Sequence, residues 1–420
     1  MFRQLPKHES RMRSWLIVLA WTVVIFITIP LARTIQREFE RLFGSGAYLI
    51  AAAIIGAFFF LFVIIYIYRR RKRMITHRVG WLVALMAASV WLMKFQLQTP
   101  AEAIHFFEYG ILSFFLFRAC SHHIRDWLIY PISVFILVMI AATDEFLQWM
   151  MPGRYWDFRD IRLNLLAGMV VQAFIALVIR PSDIRLSVEP KSIRRLCLIA
   201  WFTIIILGLA FSNTPSRVDL YATRIPFLQF LSSNESVMSE FGFRHVDPDI
   251  GTFYSRFSMR ELQRIDRERG SAAGETILKY QSLLDYREFI QAFSSAVDPF
   301  LHEMRVHLFR RDHYYGTAWQ YQQRDPDRFK FHMTVAFREN QLLEKYFPMT
   351  LVTSKNVISE DAFRMVQQYA DQKSGYTSPV SDHLVTVATE LEFRLIIAIL
   401  MIIVGVIYAR YGRERTKSLD

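Results

Sequence analysis

Ten residues between positions 105 and 164 have side chains able to do chemistry: His105, Glu108, Tyr109, Asp144, Glu145, Gln148, Arg154, Asp157, Asp160 and Asn164. They stand among runs apolar enough for a membrane interior, where an ionisable group costs up to about 3 kcal/mol and tends to mark a bundle interior or a water-filled cavity. Crowded carboxylates can retain a proton at neutral pH, so His105, Glu108, Asp144, Glu145 and Asp160 are candidate acid/base groups. The oxygen-rich set Asp144, Glu145, Asp157 and Asp160, with His105, suits a hard divalent cation such as Mg²⁺, Ca²⁺ or Mn²⁺. Tyr109, Gln148, Arg154, Asp157 and Asn164 are candidate ligand-binding residues, with Arg154 able to grip a phosphate or carboxylate through two parallel bonds.

Helices must position these residues. The 420-residue chain is 53% hydrophobic and 15% aromatic, with a mean hydropathy of +0.21. That composition describes an integral membrane protein. Runs of suitable length, nominally about 20 residues, are expected at 15–32, 47–68, 80–95, 127–142, 163–179, 196–211 and 393–409, and a shorter eighth at 105–117. Charge distribution argues for the short one. With eight spans, Arg3, Lys7, Arg11 and Arg13, the run Arg69 to Arg73 with Arg78, Arg118 and Arg125, the cluster from Arg180 to Arg195, and Arg410 to Lys417 all fall on one side. Removing the 105–117 helix would send the last three groups outward, against the positive-inside bias. Both termini are therefore expected in the cytoplasm.

The net charge of +12 is a topology signal. Residues 213–391 hold 21 Lys/Arg against 23 Asp/Glu, so the remainder carries +14. Basic residues thus cluster at helix ends, and the polybasic stretch at 69–73 suits anionic lipid; a nucleic-acid partner is not expected. The charged start followed by an apolar run without a small-residue cleavage site reads as an uncleaved signal anchor. The two cysteines, Cys120 and Cys197, lie near cytoplasmic helix ends, which leaves an exported domain without a disulfide.

Five regions follow: 1–79, two spans and a polybasic loop; 80–180, a four-helix module; 181–212, a cytoplasmic loop and the seventh span; 213–391, an extracytoplasmic α+β domain; and 392–420, the last span with a basic tail. The fold class is an all-α polytopic membrane bundle with that α+β domain inserted. Residues 34–46 read as an amphipathic outer segment, with Arg37, Glu38, Glu40 and Arg41 beside Phe39, Leu42 and Phe43. In the exported domain, Ser258 and Glu261 form a capping-box signal for a helix stopping at Gly270, and 277–293 continues with helical spacing. Residues 302–309 and 329–337 alternate like strands, Ser359 caps a helix through Tyr369, and a helix from about Ser381 runs into the last span. His302, His307, His313 and His332 have poor spacing for a metal and read as packed or solvated histidines.

Within the cluster, His105 and Glu108 are three apart, as are Glu145 and Gln148. A sixth-span helix beginning near Tyr155 would align Asp157, Asp160, Asn164 and Gly168 in one stripe, with Gly168 allowing close helix approach and Met151-Pro152-Gly153 supplying the preceding turn. On the derived topology the whole cluster meets the outer face.

This arrangement resembles the VanZ-like family of bacterial membrane proteins. The resemblance rests on His105-Phe-Phe-Glu-Tyr109, Asp144-Glu-Phe-Leu-Gln148, Pro152-Gly-Arg154, Asp157-Phe-Arg-Asp160 and Asn164-Leu-Leu-Ala-Gly168, and covers residues 80–180. Glu102-Ala103 stands where the family often has a lysine. The resemblance implies a four-helix module in the bacterial cytoplasmic membrane, associated with resistance to the glycopeptide teicoplanin, and implies no reaction. Three readings stand: a metal- or acid/base-dependent enzyme acting on an envelope lipid or peptidoglycan precursor; a noncatalytic site for a lipid head group, lipid-linked ligand or glycopeptide; and a structural network of Arg154, the acids, His105 and Asn164 fixing helix register, against which stands the excess of acids over Arg154, Arg159 and Arg162, the last two expected to turn to water. A transporter is disfavoured by the lack of duplicated broken helices, and no nucleophile elbow, phosphate loop or His-Glu-x-x-His motif occurs.

Overall fold

The computed structural model describes residues 10–44, 75–96, 102–151, 154, 156–233, 238, 242–280, 285–295, 297–373, 375–378 and 389–413, with scattered positions between 50 and 69. Two compact units form: 1–151 with 157–207 and 398–420, and 152–156 with 208–397.

The first unit is helical. Among the described residues seven helices are long and apolar enough to cross a membrane, at Arg11–Ile29, Thr76–Phe95, Glu102–Cys120, Ile129–Trp149, Phe158–Ile179, Pro190–Phe211 and Glu390–Tyr411. The expected span at 47–68 lies largely outside the described residues. Helix α1 (Arg11–Phe43) runs unbroken through the segment expected to be a separate outer loop. Its C-terminal turn still has interfacial character, since Glu38 pairs with Arg41 at 2.9 Å while Leu42 and Phe43 are exposed. Helix α2 (Ile75–Gln96) follows, then α3 (Glu102–Cys120), α4 (Ile129–Trp149), α5 (Phe158–Phe174) and α6 (Pro190–Phe211). The short expected span at 105–117 is thus a 19-residue helix.

Helices α3, α4 and α5 pack on one another around Phe117, Ile129, Ile132 and Ile175. Large apolar residues on the outside, among them Leu19, Ile27, Trp91 and Phe202, give these helices a lipid-compatible surface. A π-turn, Ile175–Ile179, ends α5, and its last carbonyls, those of Val178 and Ile179, accept from Arg78 Nη1 at 2.7 and 3.1 Å. Helix ends leave carbonyls without internal partners, and a buried cation satisfies them here.

The second unit is also mainly helical: α7 (Pro215–Arg224), a 3₁₀ segment (Pro226–Ser233), strands β1 (Phe243–Asp247) and β2 (Gly251–Ser255), then α8 (Met259–Leu278), α9 (Tyr286–Ala292), α10 (Pro299–Ala318), α11 (Pro326–Tyr346), α12 (Pro348–Thr353) and α13 (Glu360–Tyr369). Helix α14 (Glu390–Arg413) begins in this unit, and residues 381–388, where it was expected to start, lie outside the described residues.

The strands expected at 302–309 and 329–337 are instead parts of α10 and α11. These helices bury more than one face, with every residue from Met333 to Asn340 buried. Apolar residues therefore fall at alternating as well as helical spacings. Their starts obey simple rules: Asp298 and Asp325 accept from the amides of Leu301 and Arg328 at 3.0 Å, and Pro299 and Pro326 occupy the first turn.

The capping box at Ser258 forms as expected, yet α8 passes through Gly270 to Leu278. The glycines serve packing. A Cβ on Gly270 would sit 2.8 Å from Met349 Cβ, and one on Gly274 would sit 2.6 Å from Thr353 Cβ. Ser359 caps α13 through Ala362 N at 3.3 Å.

The antiparallel pair β1–β2 gains a neighbour where Thr252 N donates to Tyr376 O and Ser378 N to Thr252 O, both at 2.8 Å. Gly251 has φ +115°, and any Cβ there would strike the Tyr376 carbonyl. Glu339 clasps the same segment, accepting from Tyr376 Oη at 2.6 Å and Ser378 Oγ at 2.7 Å, and its other oxygen lies 2.6 Å from His307 Nδ1. His302 and His332 lie against Phe293 O and Thr317 Oγ1, and His313 is exposed.

Candidate functional site

Helix α3 contributes Glu102, His105, Glu108 and Tyr109, α4 contributes Asp144, Glu145 and Gln148, and the start of α5 contributes Asp157, Arg159, Asp160 and Asn164. Helical spacing decides what each face shows. His105 and Glu108, three apart on α3, face each other with Nδ1 and Oε2 separated by 3.4 Å. One position on, Tyr109 is fully buried and donates its hydroxyl to Asp144 Oδ2 at 2.9 Å. Gln148, one turn below Asp144, places Nε2 3.3 Å from that same oxygen and 3.5 Å from Glu145 Oε2.

The α5 helix starts later than expected. Asp157 is its N-cap in extended backbone, accepting from Arg159 N at 2.8 Å, and the helix begins at Phe158. Asp157 therefore leaves the expected helical stripe, which begins at Asp160, passes Asn164 and Gly168, and continues one turn further to Gln172. The Asp157 amide donates to Glu145 Oε1 at 2.9 Å, tying the loop to α4. Gln172 donates to Ser113 O and Oγ, both at 2.9 Å, and Ser113 donates to Gly168 O at 3.0 Å. These bonds lock α3 to α5 below the charged groups. A Cβ on Gly168 would meet Leu137 Cδ1 at 2.7 Å, so this glycine lets α4 come close, as its size suggested.

Two participants were misjudged from sequence. Arg159, expected to turn to water, is mostly buried and holds Glu102 through two parallel bonds, Nη1 to Oε2 at 3.0 Å and Nη2 to Oε1 at 2.9 Å. It also reaches Asp157 Oδ2 at 3.4 Å and Asp160 Oδ1 at 3.3 Å. Glu102, noted only as a departure from the family pattern, is the partner that draws this guanidinium inward. No sequence spacing links positions 102 and 159. Arg162 is exposed, as expected. Arg154 is half-buried in the segment 152–156, which groups with the second unit, and Pro152 and Gly153 lie outside the described residues.

The satisfied bonds leave specific atoms over. Among the described residues, Asp144 Oδ1 and Asn164 Oδ1 are buried without a hydrogen-bond partner. Asp144 and Asn164 are nearly inaccessible, at 1% and 3% exposed. Unmade hydrogen bonds at such groups cost about 1–3 kcal/mol each. The expected divalent cation fits less well: among the described residues no three His, Cys, Asp or Glu side chains are grouped to hold a metal. What the arrangement offers is a set of fixed acceptors beside a histidine and paired acids.

Residues 14–180 match the family model described as VanZ/LLP1, a span that begins within α1 and runs past α5. No curated protein and no solved structure matches the chain. The match covers more than the 80–180 region expected from motifs, taking in the first helix, whose Trp21 donates to Glu108 O at 3.0 Å. Residues 14–180 are therefore similar to the VanZ/LLP1 family.

Proposed function

We propose that this chain is a multi-pass protein of the bacterial cytoplasmic membrane whose α3–α4–α5 site opens outward and binds the polar head of a lipid-linked, glycopeptide or lipid ligand. One observation carries the reading: Asp144 Oδ1 and Asn164 Oδ1 are buried acceptors lacking a donor among the described residues. A ligand presenting ammonium, amide or hydroxyl hydrogens would complete them. Tyr109 and Gln148 hold Asp144, the Asp157 amide holds Glu145, and Arg159 with Glu102 fixes the start of α5, so the Asp144 carboxylate is oriented before a ligand arrives. His105 and Glu108 are partly exposed beside these groups, at 31% and 19% of the side chain. A relation to teicoplanin resistance rests on the family likeness alone.

The outward orientation is supported by the basic clusters, whose one-sided distribution over eight spans favours cytoplasmic termini and residues 213–391 outside. In a chain with Cys120 and Cys197 replaced by Ser, single cysteines at positions 153 and 156 should react with an impermeant maleimide added to intact cells. Labelling of both only after lysis overturns the orientation. Binding is tested with teicoplanin and with a lipid-linked peptidoglycan precursor on full-length protein in nanodiscs. Asn164→Leu and Asp144→Asn should each weaken one of them about tenfold or more, the cost of an unpaired buried group; unchanged affinity for both removes the site. An acid/base enzyme is the second reading, favoured by His105 beside Glu108. Its signature would be turnover lost in His105→Gln while binding persists.

A further inference from the structure

The second unit has a cavity of about 140 Å³ lined by Arg305, Tyr280, Phe309, Ile277, Asp312 and Asn356, apart from the membrane site and untouched by the function proposed for it. Arg305 is the unusual member. It is only 5% exposed, and its guanidinium stands over the rings of Tyr286 and Phe289 at 5.4 and 5.9 Å. Nη2 donates to Tyr280 O at 3.2 Å, while Nε is buried with no hydrogen-bond partner among the described residues. Nor does a carboxylate among the described residues lie within ion-pair distance of it. Asp312, two turns further along α10, is held by Arg311 Nε at 2.8 Å.

A buried charge without an ionic partner is costly, and cation–π contacts recover roughly 0.5–2 kcal/mol each. The wall around it is stiff: Tyr286 stacks on Phe309 with centroids 4.0 Å apart, and Phe309 stacks on His313 at 5.5 Å. Arg305 and Phe309, four apart, present one charged and one apolar group on the same face of α10.

We propose that this cavity binds a small carboxylate with an apolar body, the carboxylate paired with Arg305 and the body lying on Phe309, Tyr280 and Ile277. The volume sets the size, since an apolar cavity of about 150 Å³ holds benzene. The charge selects the class: the guanidinium fork matches a carboxylate, and Asp312 nearby opposes a dianion such as phosphate more than a monoanion.

Benzoate is the probe, titrated by equilibrium dialysis into the full-length protein in detergent micelles, with benzyl alcohol and inorganic phosphate as comparators. Benzoate should bind saturably at one site per chain, with benzyl alcohol and phosphate about tenfold weaker or worse. Arg305→Gln should lose about tenfold or more in benzoate affinity, in the range seen when one member of a buried charge pair is removed. If that variant unfolds, Asn356→Asp serves instead: it adds a second anion to the wall and should weaken benzoate, read in protein that still unfolds cooperatively, since the substitution also gives up the bond from Asn356 Nδ2 to Ser354 O at 2.9 Å. Absent saturation, benzyl alcohol or phosphate equal to benzoate, or full affinity in a folded Arg305→Gln or Asn356→Asp overturns the proposal. The membrane site's ligands take no part in these measurements, so either reading can fail alone.

Discussion

Glu102 and Arg159 show how one pair can order a membrane site. The acid stands at the start of α3 and the guanidinium in the first turn of α5, and their two parallel bonds join ends of helices 57 residues apart in sequence. Removing one member leaves the other buried and charged, which costs more than the pair's net worth. Arg159→Ala should destabilise the membrane unit by about 1–3 kcal/mol, less than for a fully buried pair because the surrounding acids keep some access to water. Glu102→Gln should cost less than Arg159→Ala, since Arg159 retains Asp157 and Asp160. Unfolding of the protein in micelles by denaturant gives both values, and equal stability of all three proteins would show the pair to be ornamental.

Among the elements, two glycines make opposite predictions from similar crowding. On α8, a Cβ at Gly274 would meet Thr353 Cβ at 2.6 Å and the backbone of Ser354 and Thr350 at 2.9 Å, none of which can yield without moving α12. On α5, the atoms nearest a Cβ at Gly168 are the branched end of Leu137, the first at 2.7 Å. Gly274→Ala should therefore cost about 1–3 kcal/mol by overpacking, and Gly168→Ala clearly less, with Leu137→Val relieving the second but not the first. Thermal unfolding of the wild type, Leu137→Val, each glycine variant alone and each combined with Leu137→Val checks the order. Reversed costs would mean that α12 shifts more readily than a leucine rotamer.

At the scale of the whole molecule, stability follows pH through groups buried in pairs. Asp247, at the end of β1, is buried, which opposes its ionisation. Bonds from Lys345 at 2.8 Å and Tyr346 Oη at 2.7 Å, with the Asp249 amide, outweigh that and hold its carboxyl below the ordinary value. A carboxyl lowered in the folded state contributes stability that is complete above its unfolded value and is lost as pH falls through the folded one. The unfolding free energy of the full chain should thus drop on acidification below the ordinary carboxylate range, and Asp247→Asn should flatten that limb while lowering stability at neutral pH. An unchanged acid limb in Asp247→Asn would exclude this group as its source.

The membrane class, a helix over 105–117, the caps at Ser258 and Ser359, and the run of polar side chains from His105 to Asn164 were legible from sequence. Each depends on local quantities: apolar run length, helical spacing, and side chains that satisfy amides a few residues away. The sequence also carried the family likeness, in motifs that stay close along the chain. Tertiary structure decided the rest. It turned the expected strands at 302–309 and 329–337 into helices, because residues buried on several faces lose the one-sided periodicity by which strand and helix are told apart. It carried α8 through Gly270, whose missing side chain answers a neighbour about 80 residues away in the chain. It brought Arg159 onto Glu102 and set Arg305 without an ionic partner among the described residues, since where a charge finds its partner is settled by packing between helices and leaves no trace in spacing along the chain.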